Sequence, residues 1–321
     1  DLDITVSVAA ANKLKYSVNP PASVASGATW ASFEVSIADS YGNLRGSGTD
    51  TITIAENGSG SFGGTASKAA VSGAATFDNI TYPVAESINV TASATGLTSS
   101  SAFAVSVTAG SVSYLKVTSG AASMTAGGSL ELTVTAYDTN NNVATGYTGA
   151  KNLTFSGLGN APDGTVPTAE AVNFGSAISV TFTNGASNAN AATVIAYKVE
   201  SASIDVTDGT NNSTANAGYD LDLTVNVGSL NHIAFTMQPS ANASTGTEFS
   251  QQPVVKIRDQ YQNVRTSDTA TITLSAVLNS NPANAGTGTL TVTTNPLNAV
   301  SGVATFSGVK YSASECIQLK A

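Results

Sequence analysis

Apolar residues alternate with polar ones along most of this chain, in runs short enough to be strands. Leu14, Tyr16 and Val18 form one such run, Phe33, Val35 and Ile37 a second, and Thr51 to Ile54 (TITI) a third. Ala74 to Phe77, Ile88 to Val90 and Phe103 to Val107 follow. The order returns with Leu115 and Val117, Leu130 to Val134 and Asn152 to Phe155, and again with Ile233 to Met237, Val255 and Ile257, and Thr271 to Leu274. No stretch has helical periodicity, and turn residues separate the runs, so the pattern predicts an all-β chain of antiparallel β-sandwiches.

One connecting segment recurs with the pattern. ADSYGNLR at Ala38 to Arg45 returns as YDTNNNVA at Tyr137 to Ala144 and as RDQYQNVR at Arg258 to Arg265. An Asp at the head of a turn bonds the backbone two residues on, and Gly or Asn behind it tolerates positive φ. Each copy therefore reads as a tight turn. A calcium loop needs more carboxylates at alternate positions than Asp39, Asp138 and Asp259 supply.

The recurrence divides the chain into residues 10–108, 109–228 and 229–321, three units in tandem. The second is longer, with an inserted loop and hairpin near 156–190, where GLGNAPDGTVP is loop-like and AISVTF is strand-like. Residues 1–9 contain DLDITVSV, which returns as DLDLTVNV at Asp220 to Val227, just before the third unit. They read as the closing strand of a preceding or donated unit, while the third unit lacks its last strand. Strand donation from Asp1 to Val8 into the third unit of another copy is one reading; a window on a longer array of repeats is the other, and the simpler. The connectors at 9–12, 108–111 and 228–230 have no flexible-linker composition, which predicts a stiff rod.

An alternating strand, D-x-Y-G-N, TITI, a Gly-rich loop, G-x-A-T-F (GAATF at Gly73 to Phe77, GVATF at Gly302 to Phe306) and a closing strand such as SINVTA together resemble the bacterial immunoglobulin-like repeats. These Big/invasin-like modules occur in invasin and intimin stalks, large adhesins, surface-layer proteins and accessory regions of secreted glycosidases. The resemblance implies tandem immunoglobulin-like sandwiches on the cell surface. It implies a non-enzymatic structural protein, a rod of a surface layer, filament or adhesin stalk. The alternative is a carbohydrate-binding or spacer segment of a secreted polysaccharide-degrading enzyme. The second unit departs from the pattern, with Asn140 and Asn141 in place of Tyr and Gly.

Composition narrows the chemistry. Only 10% of the 321 residues are charged and the net charge is −9, which opposes binding to nucleic acid. No apolar run is long enough for a membrane helix. The single cysteine, Cys316, excludes an internal disulfide; aligned with Ser87, it reads as a small half-buried residue. The single histidine, His232, stands beside a connector, so neither a zinc site nor a Ser-His-Asp arrangement assembles. No catalytic or cofactor-binding residue is assigned and no cofactor is expected. Asp205, Asp208, Asp220 and Asp222 are the candidates for a calcium ion, with solvated edge-strand carboxylates as the simpler reading. Trp30, the sole tryptophan, reads as core or rim packing ahead of a sugar platform. The partners expected are other copies or neighbouring repeats, with surface glycans as a further class, in an extracellular setting.

Overall fold

The computed structural model describes residues 2–214 and 218–321. No helix occurs among them, and none is therefore long and apolar enough to cross a membrane. The chain is all-β, and its buried residues gather into three separate hydrophobic cores, within residues 14–107, 115–225 and 249–311.

The first core lies between two sheets. Strands β1 (Lys13–Val18), β2 (Ser23–Ala25), β3 (Phe33–Ala38), β4 (Thr51–Glu56), β5 (Ser67–Ala69), β6 (Ala74–Phe77), β7 (Ser87–Ser93) and β8 (Phe103–Thr108) assemble as β1-β3-β6 and β2-β8-β7-β4-β5. Alternation delivers Phe33, Val35 and Ile37 from one sheet and Ile52, Ile54, Ile88, Val90, Val105 and Val107 from the other into the space between them. Trp30 is buried there, edge-on to Phe62 at 5.4 Å, so its indole offers no platform to a sugar. Strand β8 is the closing strand: it runs antiparallel to β7 and parallel to the short β2.

The second unit comprises β9 (Tyr114–Ser119), β10 (Ser123–Thr125), β11 (Ser129–Tyr137), β12 (Gly149–Ser156), β13 (Thr168–Ala169), β14 (Val172–Asn173), β15 (Ala177–Thr183), β16 (Ala186–Ser187), β17 (Thr193–Ile195), β18 (Glu200–Thr207) and β19 (Leu221–Asn226). Strand β15 pairs with β12 as β5 does with β4, so AISVTF is a lengthened version of an existing strand. The added material is the loop before it and the β13–β14 hairpin, which extends the sheet beyond β17. The β15–β16 hairpin also pairs with β11 and joins the two sheets at one corner. Strand β19 closes this unit, antiparallel to β18 and parallel to β10.

The third unit comprises β20 (His232–Met237), β21 (Val254–Arg258), β22 (Thr271–Ile272), β23 (Ser275–Leu278), β24 (Leu290–Thr291), β25 (Leu297–Asn298), β26 (Val303–Thr305), β27 (Lys310–Tyr311) and β28 (Ile317–Lys320). Strands β20-β21-β26 repeat the β1-β3-β6 sheet. The expected TITL strand is interrupted after Ile272 and pairing resumes at Ser275. Strand β28, the counterpart of β7 and β18, pairs with β23 alone, and no described strand lies along its other edge.

Residues 2–12 hold no strand, although their alternation predicts one from Asp1 to Val8. Asp1 lies outside the described residues. The reason is physical: a β-strand needs a partner ladder, and this segment has none. Leu2, Ile4 and Val6 are consequently 91, 79 and 90% exposed.

Candidate functional site: a turn that clasps the junctions

Asp39, Asp138 and Asp259 are each at most 1% exposed, which is unusual for a carboxylate on a turn. Each makes the same four hydrogen bonds. Asp259 Oδ1 accepts from the backbone N–H of Tyr261 and Asn263, both at 2.9 Å. Its Oδ2 accepts from the Asn263 side chain at 2.9 Å and from Gly228 N–H at 3.0 Å. Asp138 repeats this with Asn140, Asn142 and Gly110, and Asp39 with Tyr41, Asn43 and Ala9. The last donor lies in the connector that precedes the unit. A buried carboxylate thus ties its own turn to the incoming chain.

These bonds set the carboxyl acidity. The Asn43 side chain and then the backbone N–H donors outweigh desolvation and bring Asp39 down to about 2. Burial pulls Asp138 upward, but hydrogen bonds from Asn142, Gly110 and Asn140 leave it below the usual range. The residue three beyond each Asp is left-handed: Gly42 at φ 92°, Asn141 at 66° and Gln262 at 69°. Gly and Asn suit that conformation, as expected from the sequence; Gln262 enters it with its amide oxygen held by Arg258 at 2.6 Å.

The Asn four residues beyond the Asp does more than close the turn. Asn142 donates to Pro83 O at 2.8 Å and accepts from Ala85 N–H at 2.8 Å, both in the first unit. Asn263 donates to Tyr197 O at 2.7 Å and accepts from Val199 N–H at 3.0 Å, both in the second. A side-chain amide here copies the pairing of a peptide group. The residue two beyond the Asp enters the neighbour as well: Tyr261 packs on Tyr197 with ring centroids 4.8 Å apart, and Asn140 donates to Ser26 Oγ at 3.0 Å. Both sit over a glycine with positive φ. A Cβ on Gly127 would overlap the Tyr261 hydroxyl, and one on Gly27 the Asn140 amide.

A second recurrent contact holds the Gly-rich loops. Tyr82 donates to Glu86 at 2.6 Å while accepting from Gly60 N–H, and Glu86 accepts from Ser59. Tyr311 and Glu315 repeat it around Gly288 and Thr287. Burial, reinforced by the Glu86 hydrogen bond, pushes the Tyr82 hydroxyl up to about 12. Gly58 and Gly286 have no room for a Cβ beneath these hydroxyls.

The calcium candidates do not converge. Asp208 accepts from Thr210 N–H, Asn211 N–H, the Asn211 side chain and Tyr147 Oη, which together outweigh burial and lower its pKa. Asp222 accepts from Ser203 Oγ across the β18–β19 ladder. Asp205 faces Ser213, and its carboxyl is raised by burial and then by the nearby Asp220. Among the described residues no three His, Cys, Asp or Glu side chains gather. His232 Nδ1 lies 2.9 Å from Asn231 Oδ1, and its Nε2 lies 3.0 Å from the Gln262 amide. Cys316, the residue just before β28, is exposed rather than half-buried, as its counterpart Ser87 is at the start of β7.

No family model matches the chain, and no curated protein does. Among solved structures it is similar to the Escherichia coli adhesin FdeC at 16% identity, with 98% of each chain covered and a TM-score of 0.40. Yersinia pseudotuberculosis InvD is 16% identical over 96% of this chain and 90% of its own, with a TM-score of 0.36. Invasin, a bacterial integrin-binding protein, is 16% identical over 92% of this chain and 54% of its own, at 0.33.

Proposed function

We propose that this chain is a non-enzymatic structural element of an extracellular surface, a stiff segment of three tandem immunoglobulin-like modules that extends, tiles or cross-links. The observation that carries the reading is the twice-repeated clasp, Asp138–Asn142 on the first unit and Asp259–Asn263 on the second. A chain of freely hinged domains has no use for a buried carboxylate that fixes each connector, whereas a strut that transmits tension does. Its partners are other copies or neighbouring repeats. Cohesion comes from apolar burial and strand pairing.

Single-molecule extension of the chain held at both ends tests this reading. It predicts a separate unfolding event for each unit, each releasing roughly 300 Å of contour length. Extension without resolvable resistance would overturn it.

A further inference from the structure

Three tyrosines of the second unit stack with nearly parallel rings. Tyr114, the first residue of β9, pairs across the ladder with Tyr137 on β11, their centroids 5.3 Å apart and their planes at 11°. Tyr219, just ahead of β19, stacks closer, its centroid 4.0 Å from that of Tyr114 and the planes at 3°. The Tyr219 carbonyl accepts from Val117 N–H at 2.8 Å, and Tyr114 Oη donates to Asn141 Oδ1 at 2.8 Å, so both members of the closer pair are held. Burial, then the neighbouring Tyr219 hydroxyl, pushes the Tyr114 hydroxyl up. Tyr114 is 7% exposed, while Tyr137 and Tyr219 are half-buried and reach solvent. The other two units have no such stack: Lys13 and His232 take the place of Tyr114, opposite Ala38 and Arg258.

The closer pair spans the second unit from its entry to its exit. Tyr114 follows Gly110, whose N–H is held by Asp138, and β19 leads from Tyr219 to Gly228, whose N–H is held by Asp259. Tension carried along the chain enters the unit at the first of these clasped glycines and leaves at the second. A bond between Tyr114 and Tyr219 would therefore shelter everything between them. With a single cysteine, the chain has no disulfide to close that loop.

We propose that Tyr114 and Tyr219 are the site of an oxidative cross-link, a carbon–carbon bond between the two rings ortho to their hydroxyls, which carries load past the second sandwich. The inference deepens the strut reading above and rests on it. The oxidant is hydrogen peroxide acting through a haem peroxidase, in keeping with an oxidising extracellular setting. Each phenol gives one electron to the peroxidase and one proton to water. The two phenoxyl radicals join through their ortho carbons, and the hydrogens on those carbons move to the oxygens and restore both phenols. Peroxide takes up the two electrons and two protons and leaves as two waters. The stack brings the radicals together already in contact, and Tyr219 lies outside the strand ladder, so its ring has room to turn into the bond. Tyr197 and Tyr261, tilted at 58° with centroids 4.8 Å apart, are the less favourable pair.

Peptide mapping of the full chain after treatment with a haem peroxidase and hydrogen peroxide tests the proposal. The chain carries Tyr41→Phe, which removes an 85% exposed ring open to coupling between copies. The expected product is a Tyr114 peptide joined to a Tyr219 peptide within one chain, lighter than their sum by two hydrogen atoms. It should be at least tenfold more abundant than a Tyr114–Tyr137 or Tyr197–Tyr261 product and absent from Tyr219→Phe. Under extension, the oxidised chain should release roughly 50 Å from the second unit, since only residues 109–113 and 220–228 stay free to lengthen. Tyr219→Phe, treated identically, should keep the full release. No Tyr114–Tyr219 product, a yield no greater than that of the other pairs, or a full release from a chain that carries the link would each overturn the proposal. The peptide map is read without load, so its outcome stands apart from whether the unmodified chain resists extension.

Discussion

The side-chain amide of Asn263 donates to the backbone carbonyl of Tyr197 at 2.7 Å, joining the third unit to the second through a residue that is only 3% exposed. Removing it strands three groups at once: the Tyr197 carbonyl, the Val199 N–H and one donor to Asp259. Asn263→Ala should cost about 1–3 kcal/mol, the range for leaving buried polar groups unpaired. Urea unfolding measures the loss, and faster proteolysis at the connector 228–230 shows where it acts.

Gly127 and Gly246 are matched positions with left-handed φ of 81° and 73°, but only Gly127 lies beneath a neighbour's side chain. Alanine at either site should strain the backbone by a similar amount, on the order of 1 kcal/mol. Gly127→Ala should in addition displace the Tyr261 ring, which near-ultraviolet circular dichroism and Tyr261 side-chain NMR shifts report. Gly246→Ala should leave that signal unchanged.

The Asp39 carboxyl titrates near 2 in the folded chain, below its ordinary value, so the folded state holds its proton less tightly than the unfolded one. Its stabilising contribution is complete above about pH 4 and disappears as the pH falls through about 2. Melting temperature against pH should therefore decline across that window. Asp39→Asn should be less stable at neutral pH and show a shallower decline.

Tyr82 shifts the other way. Its hydroxyl is held up to about 12, so its contribution persists below pH 10 and is lost as the pH rises through about 12. Absorbance at the phenolate band should show a late-titrating tyrosine that disappears in Tyr82→Phe. That variant leaves Gly60 N–H without its acceptor and should lose about 1–2 kcal/mol.

The sequence carried the strands and turns because they are local: alternation at Phe33 to Ile37 and Asp-Gly-Asn chemistry at Asp39 to Asn43 act within a few residues. The turn's second role was hidden. Asn142 and Asn263 read as turn amides, and nothing adjacent to them shows that their partners, Pro83 and Tyr197, lie some sixty residues earlier. The Tyr82–Glu86 contact left a visible trace, since Tyr-x-x-x-Glu recurs in TYPVAES and KYSASEC, but the glycines it constrains sit in a separate loop. Cys316 proves exposed where half-burial is expected, because its alignment with Ser87 does not say whether either side chain meets the core.

Residual dipolar couplings measured for the second and third units of one molecule test the central claim, that the Asp–Asn clasp fixes neighbouring sandwiches relative to each other. The account predicts one shared alignment tensor for the two units in the native chain and two distinct tensors once Asn263 is replaced by alanine. Separate tensors already in the native chain would contradict it.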